Sequence, residues 1–208
     1  MRRLNQSNTI PTCLAAQPIG QDWGDFSRNH NACFVATGND LKSNQGFLCC
    51  YCESSVPDAG DGHIEHLEPR SRKPSRTYDP SNLAFSCNGD TSNVHCGHGK
   101  AGQYDSALFI SPYENLPTPF FNYLQDGTIE AIDALSDANK ARVAYMIFSL
   151  KLDCPSLIGK RRNHARRIIK TLGTQPTPEI LDWARTYYLE PENNKLHSYQ
   201  SLSGTLLL

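Results

Sequence analysis

The sequence predicts an α+β fold, mostly helical, in which flanking helices surround a small metal-organised core. Three observations predict it. Residues 46–103 are dense in Cys, His, Gly and Asn and lack long apolar periodicity, as in a unit held by metal instead of a large apolar core. Inside that stretch Cys49 and Cys52 form a C-x-x-C pair, with Cys87 and Cys96 downstream. From residue 136 onward, apolar residues recur at helical spacing. The chain therefore divides into an extended or helical segment (1–45), the core (46–103), and a mainly helical region (104–208) expected to pack on the core and on a partner.

Each element has its own signal. Residues 1–20 read as extended or loosely packed, and 21–45 as a helix interrupted at "TGND". Residues 104–130 hold short apolar pieces and turns, with Asp126-Gly127 marking one turn. Ser136 can cap a helix running to about Leu150, in which Val143, Ile147 and Leu150 share a side. A second helix follows Asp153, its apolar side formed by Leu157, Ile158, Ala165, Ile168, Ile169 and Leu172. A third begins at "TPEI", where Thr177 can cap and Pro178 suits the first helical position. The apolar tail, Leu206 to Leu208, either packs back or docks on a partner, and packing back is the simpler reading.

Composition narrows the function classes. At 208 residues the chain can bury one compact core. Its 20 Lys and Arg against 21 Asp and Glu leave a net charge of -1, so nucleic-acid binding would need local basic patches. No run approaches transmembrane length, and "MRRLNQSNTIPTC" lacks an export-type apolar region. The expectation is a cytoplasmic protein with no membrane partner. In a reducing compartment, eight cysteines point to metal more than to disulfides.

A tight turn can aim Cys49 and Cys52 at one tetrahedral ion, and the loop from Cys87 to Cys96 can return two more sulfurs to it. The rivals are a redox pair and simple buried packing. A redox C-x-x-C normally opens a long helix, and "ESSVPDAGDG" does not read as one. Cys50 reads as a packing residue, or as a substitute for Cys49 if the turn shifts. Cys13, Cys33 and Cys154 have no spaced partners and read as small buried or half-buried residues.

Between the cysteine pairs lies "HIEHLEPRS". In a strand, His63 and Glu65 share a face while His66 points the other way unless the strand ends there. This can set a metal-binding carboxylate beside an imidazole base; the bland reading is a satisfied cluster. Together "LKSNQGFLCCYCES", "HIEHLEPRS", "YDPSNLAFSCNG", "HCGHGKAG" and "ALFISP" resemble HNH, or ββα-metal, nucleases. The resemblance is closest to the PtuB-like HNH subunits of Septu anti-phage systems and to retron-associated HNH endonucleases. It extends, with weaker later pieces, over roughly residues 40–165.

The resemblance implies a zinc-stabilised ββα core in a metal-dependent DNA endonuclease. His66 matches the water-activating base, Glu65 the acidic metal ligand, and Asn82 the asparagine that orients the histidine or braces the motif. Cys49, Cys52, Cys87 and Cys96 match the structural zinc ligands. Lys100 stands where the family pattern places a last metal ligand, and protonated lysine is a poor one. His63, His95 and His98 are the alternatives. The catalytic ion would be divalent, most simply Mg²⁺, and Lys100 would contact phosphate or stabilise local negative charge.

Two basic stretches are candidate phosphate contacts. Residues 70–76 carry Arg70, Arg72, Lys73 and Arg76; residues 160–170 carry Lys160, Arg161, Arg162, Arg166, Arg167 and Lys170. Either can instead be a solvated face or an ion-pairing protein surface. The resemblance further implies an ABC/SMC-like (PtuA-like) ATPase subunit, and in a retron setting a reverse transcriptase with a structured nucleic acid. No phosphate-loop motif occurs here, so ATP hydrolysis would belong to the partner. The competing reading is a catalytically inactive zinc module for nucleic-acid or protein assembly.

Overall fold

The computed structural model describes residues 1–6, 11–17, 22–90, 93–116 and 118–208. The fold is α+β: among the described residues, helices dominate and the strands form two small antiparallel pairs. In chain order come α1 (Thr12–Ala15), α2 (Trp23–Asn29), α3 (Asn31–Asn44), β1 (Gly62–His66), β2 (Leu83–Cys87), α4 (Cys96–Lys100), β3 (Phe121–Tyr123) and β4 (Ile129–Ala131). Then follow α5 (Asp137–Leu150), α6 (Pro155–Leu172), α7 (Pro178–Leu189) and α8 (Gln200–Leu207).

Strands β1 and β2 pair in register Gly62 to Cys87 through His66 to Leu83, and α4 follows them. This strand-strand-helix unit packs under α3. Gly38 brings the two together: a Cβ there would lie 3.7 Å from Ile64 and 3.8 Å from Phe85. The expected break at "TGND" does not occur. Residues 37–40 lie inside α3, where the glycine faces the sheet and Thr37 donates back to the Cys33 carbonyl at 2.8 Å. Just past α3, Gln45 satisfies the outer edge of β2. Its carboxamide oxygen accepts from Phe85 N at 2.7 Å, and its nitrogen donates to Phe85 O at 2.9 Å.

Residues 1–20 are not wholly extended, since α1 forms there; positions 7–10 and 18–20 of that stretch, and position 21, lie outside the described residues. Cys13 and Cys33 are not lone small residues. They form a disulfide that joins α1 to α3, with Cα atoms 6.2 Å apart. Their 20-residue separation spans two helix starts, so no local spacing announces the pair.

The C-terminal helices start where their caps place them. Ser136 accepts from Asn139 N, and Thr177 accepts from Ile180 N with Pro178 in the first turn. A fourth helix, α8, completes the group, and Leu207 is buried while Leu208 is exposed. Thus the tail packs back. The Asp126-Gly127 turn closes the β3–β4 hairpin, with Gly127 at φ 89°. One apolar core draws on all parts of the chain, including Phe26, Leu41, Ile64, Leu83, Met146, Leu157 and Leu202. Among the described residues, no helix is long and apolar enough to cross a membrane.

Candidate metal centre and adjoining histidine site

The C-x-x-C turn is fastened to β2 before it does any chemistry. Cys50 N donates to Phe85 O at 3.0 Å, and Glu53 N closes the turn on Cys49 O at 3.1 Å. Cys87 ends β2 and Cys96 opens α4. The sulfurs of Cys49, Cys52, Cys87 and Cys96 are all buried and lie within 4.8 Å of one another. The Cys52 and Cys87 sulfurs are 3.7 Å apart. Zinc–sulfur bonds of about 2.3 Å in a tetrahedron put sulfurs about 3.8 Å apart, so the donor set fits zinc closely. Among the described residues this is the one group of three or more Cys, His, Asp or Glu donors so gathered. Cys50 is buried outside the group, as a packing residue.

His95 stands against this cluster, not beside Glu65. Its Nδ1 is 3.1 Å from Cys96 Sγ and 3.8 Å from Cys87 Sγ. An imidazole N–H donating to a thiolate would steady a sulfur ligand. His95 is therefore a neighbour of the sulfur cluster and is not brought to the carboxylate.

Strand β1 supplies the second part of the site. Glu65 is buried. Its Oε1 accepts from Lys100 Nζ at 2.7 Å and from the Tyr51 hydroxyl at 3.1 Å. Its Oε2 lies 3.4 Å from His63 Nε2. Burial pushes the carboxyl pKa up, but the hydrogen bond from His63 and the Lys100 charge outweigh it and hold the group below its ordinary value. Both donors converge on Gly97 of α4: a Cβ there would lie 2.6 Å from Glu65 Oε2 and from His63 Nε2. His98 packs against His63 with ring centroids 4.1 Å apart and planes tilted by 42°, and both rings meet Asn88 Oδ1, at 3.2 Å for His63 and 3.3 Å for His98. Glu65 and His63 thus form a convergent carboxylate–imidazole pair, while His98 is turned toward Asn88.

His66 occupies the opposite side of β1. Its Nε2 is 2.9 Å from the Thr77 carbonyl oxygen, which can only accept, so Nε2 carries the proton. Nδ1 then holds a free lone pair and has no protein partner among the described residues. Burial lowers the His66 pKa to about 4, against a partial rise from the Thr77 bond. The ring is neutral at pH 7 and rests edge-on against Trp23, with centroids 4.6 Å apart. Asn82 makes no hydrogen bond to the ring. Its Oδ1 accepts from Glu68 N at 2.8 Å, and its Nδ2 donates to Glu68 O and Arg76 O at 3.0 and 3.1 Å. It braces the loop that presents the Thr77 carbonyl.

The basic residues are placed unequally. Arg70, Arg72 and Lys73 are exposed, and Arg70 reaches over the Trp23 ring that supports His66. Arg76 is a loop staple that donates to Glu68, Asp79 and Ser81. Lys100 is not placed to contact phosphate and instead meets the other expectation, stabilising the negative charge of Glu65. It is 1% exposed, and its ammonium donates to His66 O, Leu67 O and Glu65. Arg161 is likewise 1% exposed, donating to Gly127 O and Leu152 O, so it leaves the second basic surface. Lys160 pairs with Asp90 at 2.7 Å, and Arg162 donates to Asp126 O. Arg166, Arg167 and Lys170 remain exposed.

Sequence reasoning missed Tyr51, Thr77 and Trp23. The first two act through a hydroxyl and a backbone carbonyl that only the fold aims. No protein-family model matches the chain, and no curated protein matches it.

Proposed function

We propose that the protein is a metal-dependent phosphodiesterase of the ββα-metal kind. More narrowly, it reads as an HNH endonuclease that cleaves DNA in anti-phage defence together with an ATPase subunit. The observation that carries this reading is His66: a neutral imidazole, its tautomer set by the Thr77 carbonyl, stands next in sequence to an ionised carboxylate on a strand of a cysteine-tied strand-strand-helix unit.

Glu65 and His63 would hold a divalent ion as neighbouring carboxylate and imidazole ligands. Such an ion, Mg²⁺ in the simplest case, supplies positive charge against the scissile phosphate and the departing oxygen. A nitrogen donor also suits Mn²⁺ or another imidazole-tolerant ion. Nδ1 of His66 takes the proton of an attacking water, and Nε2–H stays on Thr77, so the ring cannot turn away during transfer. Arg70, Arg72 and Lys73 hold the nucleic-acid backbone near that face without reading bases. The sulfur cluster is structural, because four thiolates leave no open position on zinc.

Plasmid cleavage by the chain with its cognate ATPase should need a divalent ion and fall roughly 10²–10⁴-fold in His66→Ala. Undiminished cleavage in that variant would remove His66 as the base. The second reading, an inactive zinc module, draws on Lys100, which already neutralises Glu65. It predicts that His66→Ala keeps defence intact while Cys52→Ala abolishes assembly.

A further inference from the structure

Helices α6 and α7 carry a surface that the cleavage chemistry does not use. Trp183 and Tyr187 stand one turn apart on α7 and remain 52% and 44% exposed. Their rings stack with centroids 5.1 Å and planes 11° apart, and Tyr187 continues to His197 at 4.5 Å. Aromatic rings of this size usually gain by burial, so an ordered row left in solvent is a surface with something to contact.

Arg167 of α6 lies beside the row, and Arg166 and Lys170 are exposed on the same helix. Ile168 on α6 packs with Ala184 and Tyr188 on α7 and with Leu207 on α8, which fixes the seam between the helices. Arg167 lines a groove of about 230 Å³ at that seam together with Tyr187, His197 and Tyr199. Among the described residues its guanidinium donates only within its own helix, to Asn163 O, and Arg166, Arg167 and Lys170 make no ion pair. No acidic residue occurs from 154 to 178. The nearby Asp182 of α7 lies 3.5 Å from Arg185.

Unspent cations beside an exposed stacked pair complement a partner with flat rings and regularly spaced negative charge. We infer that this seam binds single-stranded nucleic acid, with bases stacking on Trp183 and Tyr187 and phosphates following Arg166, Arg167 and Lys170. A duplex keeps its base faces covered and cannot use the aromatic row. The binding does not depend on the cleavage reading, and it holds whether or not His66 is a base.

The test is anisotropy of a labelled oligothymidylate of roughly 20 nucleotides, titrated with the full chain at low salt and no added divalent ion. The parent should bind, and Trp183→Ala/Tyr187→Ala should bind at least about tenfold more weakly. Trp183→Phe/Tyr187→Phe should stay within about threefold of the parent, since a phenyl ring still stacks. Arg166→Glu/Arg167→Glu/Lys170→Glu should weaken binding and flatten its dependence on salt. His66→Ala should bind as the parent does, so a failure of binding and a failure of cleavage are read separately. Equal affinity in the double alanine variant overturns the inference. So does equal binding of a duplex of the same length, or no binding by a folded parent; the last result would assign the surface to a protein partner.

Discussion

Lys100 shows how one buried charge organises the neighbourhood of His66. Its three donors are engaged by Glu65 and by the carbonyls of His66 and Leu67, so it fixes both the carboxylate and the end of β1. Lys100→Met removes the cation and leaves Glu65 buried without its strongest partner. Urea unfolding should show a loss of about 3–5 kcal/mol, the usual result of breaking a buried pair from one side. A loss under about 1 kcal/mol, typical of a surface pair, would refute this role. His164 offers a second test. It is buried, bonded to Ser203 Oγ at 2.8 Å, and burial lowers its pKa to about 4, with Arg167 and His197 adding to the effect. The unfolded imidazole takes up its proton near pH 6.5, the folded one only near 4. Stability is therefore complete above pH 6.5 and declines as pH falls through this window, by about 3 kcal/mol at its end. His164→Gln should flatten that decline in acid titrations followed by circular dichroism; an unchanged slope would exclude His164 as a source. The pattern around His66 was legible because its residues are close in sequence. The two roles open to Lys100 were separable only by the fold, because its partners lie 33 and 34 residues earlier, and spacing alone carries no sign of which lysine is buried.

Helix starts were the most legible elements, since a cap acts within one turn. Ser136 and Thr177-Pro178 announced α5 and α7 in this way. The helix of residues 31–44 was legible but its continuity through residues 37–40 was not, because the glycine that suggests a break is used for close approach to the sheet. The β3–β4 hairpin shows the same limit. Its turn was readable from Asp126-Gly127, but not its docking on α6, where a Cβ at Gly127 would lie 2.1 Å from the Ile158 carbonyl oxygen. Gly127 also has φ 89°, and the Arg161 guanidinium donates to its carbonyl. Gly127→Ala therefore combines backbone strain with a collision against an immobile helix carbonyl. It should cost about 2 kcal/mol or more, a fall of several degrees in melting temperature. Gly173→Ala is the matched control: φ is 65°, yet nothing lies within 4 Å of its Cβ. That variant carries the strain alone, roughly 1–3 kcal/mol, since φ 65° with ψ -159° is a conformation almost restricted to glycine. If the two variants melt together, the docking of the hairpin contributes little.

The chain is held by two kinds of cross-connection that composition could not distinguish. Cys13–Cys33 joins α1 to α3, while four other cysteines gather the C-x-x-C turn, the end of β2 and the start of α4. Spacing revealed the second set because one pair sits in a single turn; the first emerges only from the packing of helices. These links act on a core shared by all three segments, so loosening the sulfur cluster should not stay local. A structural zinc site contributes on the order of 10 kcal/mol of binding free energy that exists only in the folded chain. That exceeds the net stability of many domains of this size. Prolonged treatment with a strong chelator should therefore release one zinc per chain and abolish near-ultraviolet dichroism cooperatively. Cys52→Ser should purify without zinc and unfold at markedly lower urea, whereas Cys154→Ser, half-buried and outside the cluster, should match the parent. A chain that loses its metal yet retains its unfolding midpoint would show that the apolar core alone holds β1, β2 and α4. The four thiolates would then be needed only locally, to set the position of α4 against Glu65 and His63.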